Sequence, residues 1–80
     1  MNLHDRFLQL NRLCDLVRRK ATGTPNQLAE KLQISRGTVY KLLEELESYG
    51  AEIEYDRSRK CFYFAKEMDI KFEVKPRDQK

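Results

Sequence analysis

Asn26-Gln27-Leu28-Ala29-Glu30-Lys31-Leu32-Gln33-Ile34-Ser35-Arg36-Gly37-Thr38-Val39-Tyr40-Lys41-Leu42-Leu43-Glu44-Glu45-Leu46-Glu47-Ser48-Tyr49-Gly50 is the stretch that decides the fold. Two helical patterns stand back to back across a short break at Gln33-Ile34. The second opens with Ser35, whose hydroxyl can accept one of the orphan backbone N–H groups of a helix start. Val39, Leu42, Leu43 and Leu46 follow at the i, i+3, i+4, i+7 spacing of one buried helix face. The opposite face of the first two turns carries Arg36, Gly37, Tyr40 and Lys41. A helix supported from behind, with a small, basic, hydroxyl-rich N-terminal end turned outward, has the shape to lie in a DNA major groove. Gly50 closes the pattern, so the recognition helix is expected over residues 35–49.

Upstream, Thr24-Pro25-Asn26-Gln27 carries three agreeing start signals. Thr24 can cap, Pro25 stands at the first helical position, and Gln27 occupies the capping-box position. Leu28, Ala29 and Leu32 face inward and Ile34 fills the corner. The run from Leu28 to Leu46 resembles the helix-turn-helix of bacterial transcription regulators. It is similar to the winged-helix domains that open repressors of the biotin-repressor, deoxyribose-repressor and WYL-regulator types. The resemblance spans roughly residues 3–64. It implies that Ala29 lets the two helices approach closely and that Val39 packs against it. The family usually has glycine in the turn, where this chain has Gln33; the left-handed region is costly for such a residue but open to it.

The resemblance implies an α+β fold: a three-helix winged helix-turn-helix with a C-terminal β-hairpin wing. It also implies binding of double-stranded DNA and transcriptional regulation in a bacterial cell. Arg36 is the best candidate for a base-edge contact, because a guanidinium pairs in bidentate fashion with guanine. Thr38 and Tyr40 suit a thymine methyl or a phosphate, and Lys41 suits a phosphate. Gly37, early in the helix, either is tolerated in a first turn or lets DNA approach the backbone. Ser35 caps the same end, and Thr24 with the neighbouring amides can touch a phosphate. Glu44, Glu45 and Glu47 would repel a phosphate backbone, so only the N-terminal half of this helix is expected to reach DNA.

Toward the N-terminus, Leu3, Phe7, Leu10, Cys14 and Val17 alternate at spacings of four and three, and Leu13 and Leu16 widen that face. This predicts a long amphipathic helix over about residues 2–20, with Gly23 as its stop. Arg18-Arg19-Lys20 near its end has two readings: complement to the negative end of the helix dipole, or contact with DNA phosphate. After Gly50 the period drops to two. Ala51, Ile53 and Tyr55 alternate with Glu52, Glu54 and Asp56, which is a strand with one buried face. Cys61-Phe62-Tyr63-Phe64 is a second strand, and Phe62 and Phe64 are expected to face the first helix. Between the strands, Arg57, Arg59 and Lys60 concentrate positive charge at a hairpin tip within a wing over 53–64. Family wings often carry glycine there and this tip has none, so a tight loop contacting DNA backbone is expected.

Met68, Ile70, Phe72 and Val74 alternate again and predict an extra strand over 68–74. It either returns to the sheet of the wing or pairs with a second copy to form a homodimer. Pro76 ends it, leaving residues 76–80 as a frayed tail behind a single domain of residues 1–75.

Composition sets the limits. Eighty residues hold one modest core. Sixteen basic against 13 acidic side chains give +3, a mild excess, so a DNA footprint has to come from local clustering. No apolar run is long enough to span a membrane, no signal-peptide pattern follows Met1, and a cytoplasmic location is expected. Cys14 and Cys61 stand far apart with a lone His4, so there is no metal-ligand spacing. No nucleophile elbow, phosphate-binding glycine loop or small-molecule pocket signature is present, and neither enzyme activity nor a cofactor is expected. One rival of a different class stays open: a winged helix used as a protein-protein interaction module without DNA binding, suggested by the modest net charge and the acidic second half of the third helix.

Overall fold

A computed structural model describes residues 2–67. Three helices, α1 (Leu3–Arg18), α2 (Pro25–Leu32) and α3 (Arg36–Ser48), precede an antiparallel hairpin of β1 (Ile53–Asp56) and β2 (Cys61–Phe64). This is the expected winged helix-turn-helix arrangement. The strand expected over 68–74, the homodimer it would make and the frayed tail lie outside the described residues.

The core follows the periodicities. Leu10, Leu13, Cys14, Leu16 and Val17 of α1, Leu28, Ala29 and Leu32 of α2, and Val39, Leu42, Leu43 and Leu46 of α3 are all buried in one cluster with Ala51 and Phe62. Phe7, Ile34, Ile53, Tyr55 and Phe64 pack half-buried around it. Tyr55 and Phe62 face each other across the hairpin, edge to face at 4.9 Å, on the side turned to the core. Each aromatic contact of this geometry is worth about 0.5–1.5 kcal/mol beyond its burial. Among the described residues no buried side-chain nitrogen or oxygen lacks a hydrogen-bond partner.

The first helix departs from expectation at both ends. Asn2 caps it, accepting the Asp5 N–H at 2.8 Å, and Leu3 is exposed among the described residues. At the other end Gly23 is not the stop. Lys20 takes the left-handed conformation at φ 56°, and the Ala21 and Lys20 amides donate back to the Leu16 and Val17 carbonyls. The same closure ends α2 at Gln33 (φ 57°), with Ile34 and Gln33 donating to Ala29 and Glu30, and α3 at Gly50 (φ 101°), with Ala51 and Gly50 donating to Leu46 and Glu47. Three helices thus end in one motif, which satisfies the last carbonyls and turns the chain sharply. Only one of the three left-handed positions is glycine. Gly23, also at positive φ, instead lets the Gln27 side chain close over the loop before α2.

Candidate nucleic-acid interface

The outward surface of α3 begins at its cap. Ser35 Oγ accepts the Thr38 N–H at 3.1 Å and lies 2.9 Å from Thr38 Oγ1. Both hydroxyls therefore hold the helix start, and Thr38 is half-buried. Beyond them Arg36, Gly37 and Lys41 are exposed, and Tyr40 is 42% exposed. The Arg36 guanidinium lies over the Tyr40 ring, 5.9 Å from its centre, which draws the two side chains into one outward-facing group. A Cβ added at Gly37 would meet only Ser35 Oγ at 3.9 Å, and its φ is unexceptional. Among the described residues nothing requires glycine there.

The α2 start forms the capping box: Thr24 N–H donates to Gln27 Oε1 at 2.8 Å and Gln27 N–H to Thr24 Oγ1 at 3.2 Å. Thr24 is half-buried and keeps its own hydroxyl proton to donate.

The wing tip is a four-residue turn, Arg57 to Lys60. Asp56 organises it. Its Oδ1 accepts the Ser58 and Arg59 amides at 2.9 and 3.0 Å, and its carbonyl accepts the Lys60 amide at 2.7 Å. Lys60 sits at φ 56°, supplying the left-handed step for which a wing would ordinarily use glycine. Arg57, Arg59 and Lys60 are exposed, and among the described residues none has an ion-pair partner. The tip is thus tight, glycine-free and cationic, as expected.

The acidic residues of α3 divide. Glu45 turns back to α1, where the Arg6 Nε donates to its two carboxylate oxygens at 2.9 and 3.2 Å and Arg6 Nη2 pairs with Oε1. Glu44 and Glu47 instead line a groove with Glu54 of β1, which Tyr40, Leu43 and Phe62 also border. That flank of the hairpin is negative and unsuited to phosphate.

The basic triplet at the end of α1 is divided as well. Asp15 holds Arg19 at 2.7 Å and Arg18 at 4.0 Å, one helical turn away. Lys20 has left the helix and escapes this pairing; it lines a groove with Arg59 and Tyr63. The sequence contained this signal, since Asp15 reaches i+3 and i+4 but not i+5. Thr22 gave no comparable signal. It is fully buried, and its Oγ1 accepts the Phe62 N–H at 2.8 Å while donating to the Gly23 carbonyl at 3.0 Å. That pair pins the α1–α2 loop, and with it Lys20, beside β2.

Among the described residues no group of His, Cys, Asp or Glu could hold a metal ion, and no helix is long and apolar enough to cross a membrane. A protein-family model described as an HTH domain matches residues 10–64, which takes in most of α1, all of α2 and α3, and the whole hairpin. No curated protein and no solved structure matches the chain.

Proposed function

This chain belongs to the helix-turn-helix domain family, a family of DNA-binding domains, and on that premise we propose that it is a sequence-specific binder of double-stranded DNA that regulates transcription. The observation that carries the reading is the exposed N-terminal half of α3. Its buried face is fixed by Val39, Leu42, Leu43 and Leu46, while Arg36, Gly37, Tyr40 and Lys41 face outward. In this reading Arg36 reads a base edge in the major groove, Gly37 admits close approach of the backbone, and Tyr40 and Lys41 meet the flanking strand. Ser35 and Thr38 act mainly by holding the helix start, and any contact of theirs to DNA uses the hydroxyl proton the cap leaves over. Thr24 sits by a phosphate at the start of α2, and Arg57, Arg59 and Lys60 place the wing tip on backbone phosphates.

The acidic groove of Glu44, Glu47 and Glu54 favours the rival reading, an interaction module that captures a basic protein partner. Salt separates the two. Binding to a random pool of duplex DNA, followed by fluorescence anisotropy, should weaken steeply with salt, with a log–log slope of about −0.9 for each phosphate neutralised. A variant lacking the charges of Arg36, Lys41, Arg57 and Arg59 should lose that binding. If the wild type shows no affinity for duplex DNA at low salt, the DNA reading is wrong for this chain and the protein-partner reading takes its place.

A further inference from the structure

The two flanks of the hairpin differ in charge. On the β1 flank, Glu44 and Glu47 of α3 and Glu54 of β1 surround the groove beside the recognition helix. On the β2 flank, Lys20 and Arg59 line one groove together with Tyr63, whose hydroxyl donates to Glu54 Oε1 at 3.5 Å, and among the described residues neither cation has an ion-pair partner. Asp56 also borders this groove and keeps its negative charge, with Oδ1 held at the turn by the Ser58 and Arg59 amides, so the cations outnumber the carboxylates of the lining two to one. The neighbouring arginines at the end of α1 are engaged by Asp15, so among the described residues Lys20 is the member of the triplet without an ion-pair partner.

We infer that Lys20 and Arg59 form a phosphate clamp on the β2 flank, through which the DNA backbone passes from the wing tip toward the start of α2; this rests on the DNA-binding reading above. The loop geometry sets the path. Thr22 ties the α1–α2 loop to Phe62 of β2, which brings Lys20 beside the wing turn and leaves Thr24 at the end of the same loop. Lys20 is held by backbone, since its amide donates to the Val17 carbonyl and its left-handed φ turns it away from Asp15. A backbone passing on the other flank would meet three carboxylates. At the surface, like charges at such range repel and unlike charges attract with an energy that salt screens, so the two flanks steer the strand the same way. Lys31, by contrast, donates its Nζ to the Ala21 carbonyl and serves the loop.

The test uses a substitution that removes the charge without harming the fold. Lys20→Gly fits the left-handed backbone at no steric cost, so the variant should melt no lower than the wild type. Its affinity for duplex DNA should fall about equally for all sequences, and its log–log salt slope should become shallower by about 0.9, the loss of one phosphate contact. Arg19→Gln removes the same charge one residue away from a side chain already paired with Asp15, and should change the slope by less. A Lys20→Gly slope equal to the wild type would overturn the clamp while leaving DNA binding intact. Absence of salt-sensitive binding by the wild type would instead remove the DNA-binding reading, and the clamp with it.

Discussion

Thr22 Oγ1 accepts the Phe62 N–H at 2.8 Å, joining the loop after α1 to β2 across 40 residues of sequence. Because Thr22 is fully buried, no water can replace it. Thr22→Val keeps the shape and leaves the amide unpaired, which costs about 1–3 kcal/mol. Urea unfolding should show the midpoint fall with an unchanged slope, and Thr22→Ser should recover most of the loss. An unchanged midpoint in the valine variant would show that the bond contributes nothing net.

Gln33 stands in the left-handed conformation at φ 57° and its side chain is exposed. A side chain there costs on the order of 1 kcal/mol relative to glycine. Gln33→Gly should therefore raise the thermal midpoint by several degrees for a domain of this size. A lower midpoint would mean that the extra freedom of the unfolded chain outweighs the relief.

Among the described residues, Gly37 has open space around it and no neighbour that requires glycine. Gly37→Ala should stabilise α3 by about 0.5–1 kcal/mol, the helix preference of alanine over glycine. If DNA approaches this backbone closely, the same variant binds duplex DNA more weakly. Raised stability with undiminished affinity would show that the surface at Gly37 stands clear of DNA.

Arg36 and Lys41 share the exposed face of α3 but should fail in different ways. Arg36→Ala should reduce the preference for a selected site over random DNA by about 1–3 kcal/mol. Lys41→Ala should weaken every sequence alike and make the salt slope shallower by about 0.9. Competition between a selected site and random duplex reads both; an intact site preference in Arg36→Ala would move base reading elsewhere.

Burial pushes the Cys14 thiol above its usual pKa of 9.0. The nearby Glu54 carboxylate, followed by burial, likewise raises the Tyr63 hydroxyl. In both groups the folded state holds its proton after the unfolded chain has released it. Above the unfolded values the folded protein binds more protons, so stability should fall as pH rises, beginning near pH 9. Chemical denaturation between pH 7 and pH 10.5 measures this, and a flat profile would refute it. At neutral pH, Cys14 should react with a thiol reagent far more slowly in the folded than in the unfolded protein.

What the sequence determined by itself is local. The 3.6 period fixed the core faces of three helices, and the change to period two marked the hairpin. Thr24 with Gln27, and Ser35 by itself, announced their caps because such bonds close within three residues. The basic end of α3 and the cationic wing tip could be read for the same reason. Gly23 was misleading as a helix stop because a lysine can occupy the left-handed position once backbone bonds to Leu16 and Val17 hold it.

Tertiary structure decided whatever joins residues far apart in the chain. It set Glu45 against Arg6, buried Thr22 with its hydroxyl on the Phe62 amide, and brought Lys20 into one groove with Arg59. It also gathered charges that are scattered along the sequence, placing Glu44, Glu47 and Glu54 around one groove and Lys20 and Arg59 beside Asp56 in another. Periodicity shows which face of an element is buried. Which neighbour covers it, and which charges then share a surface, follow only when the helices and the hairpin pack around one core.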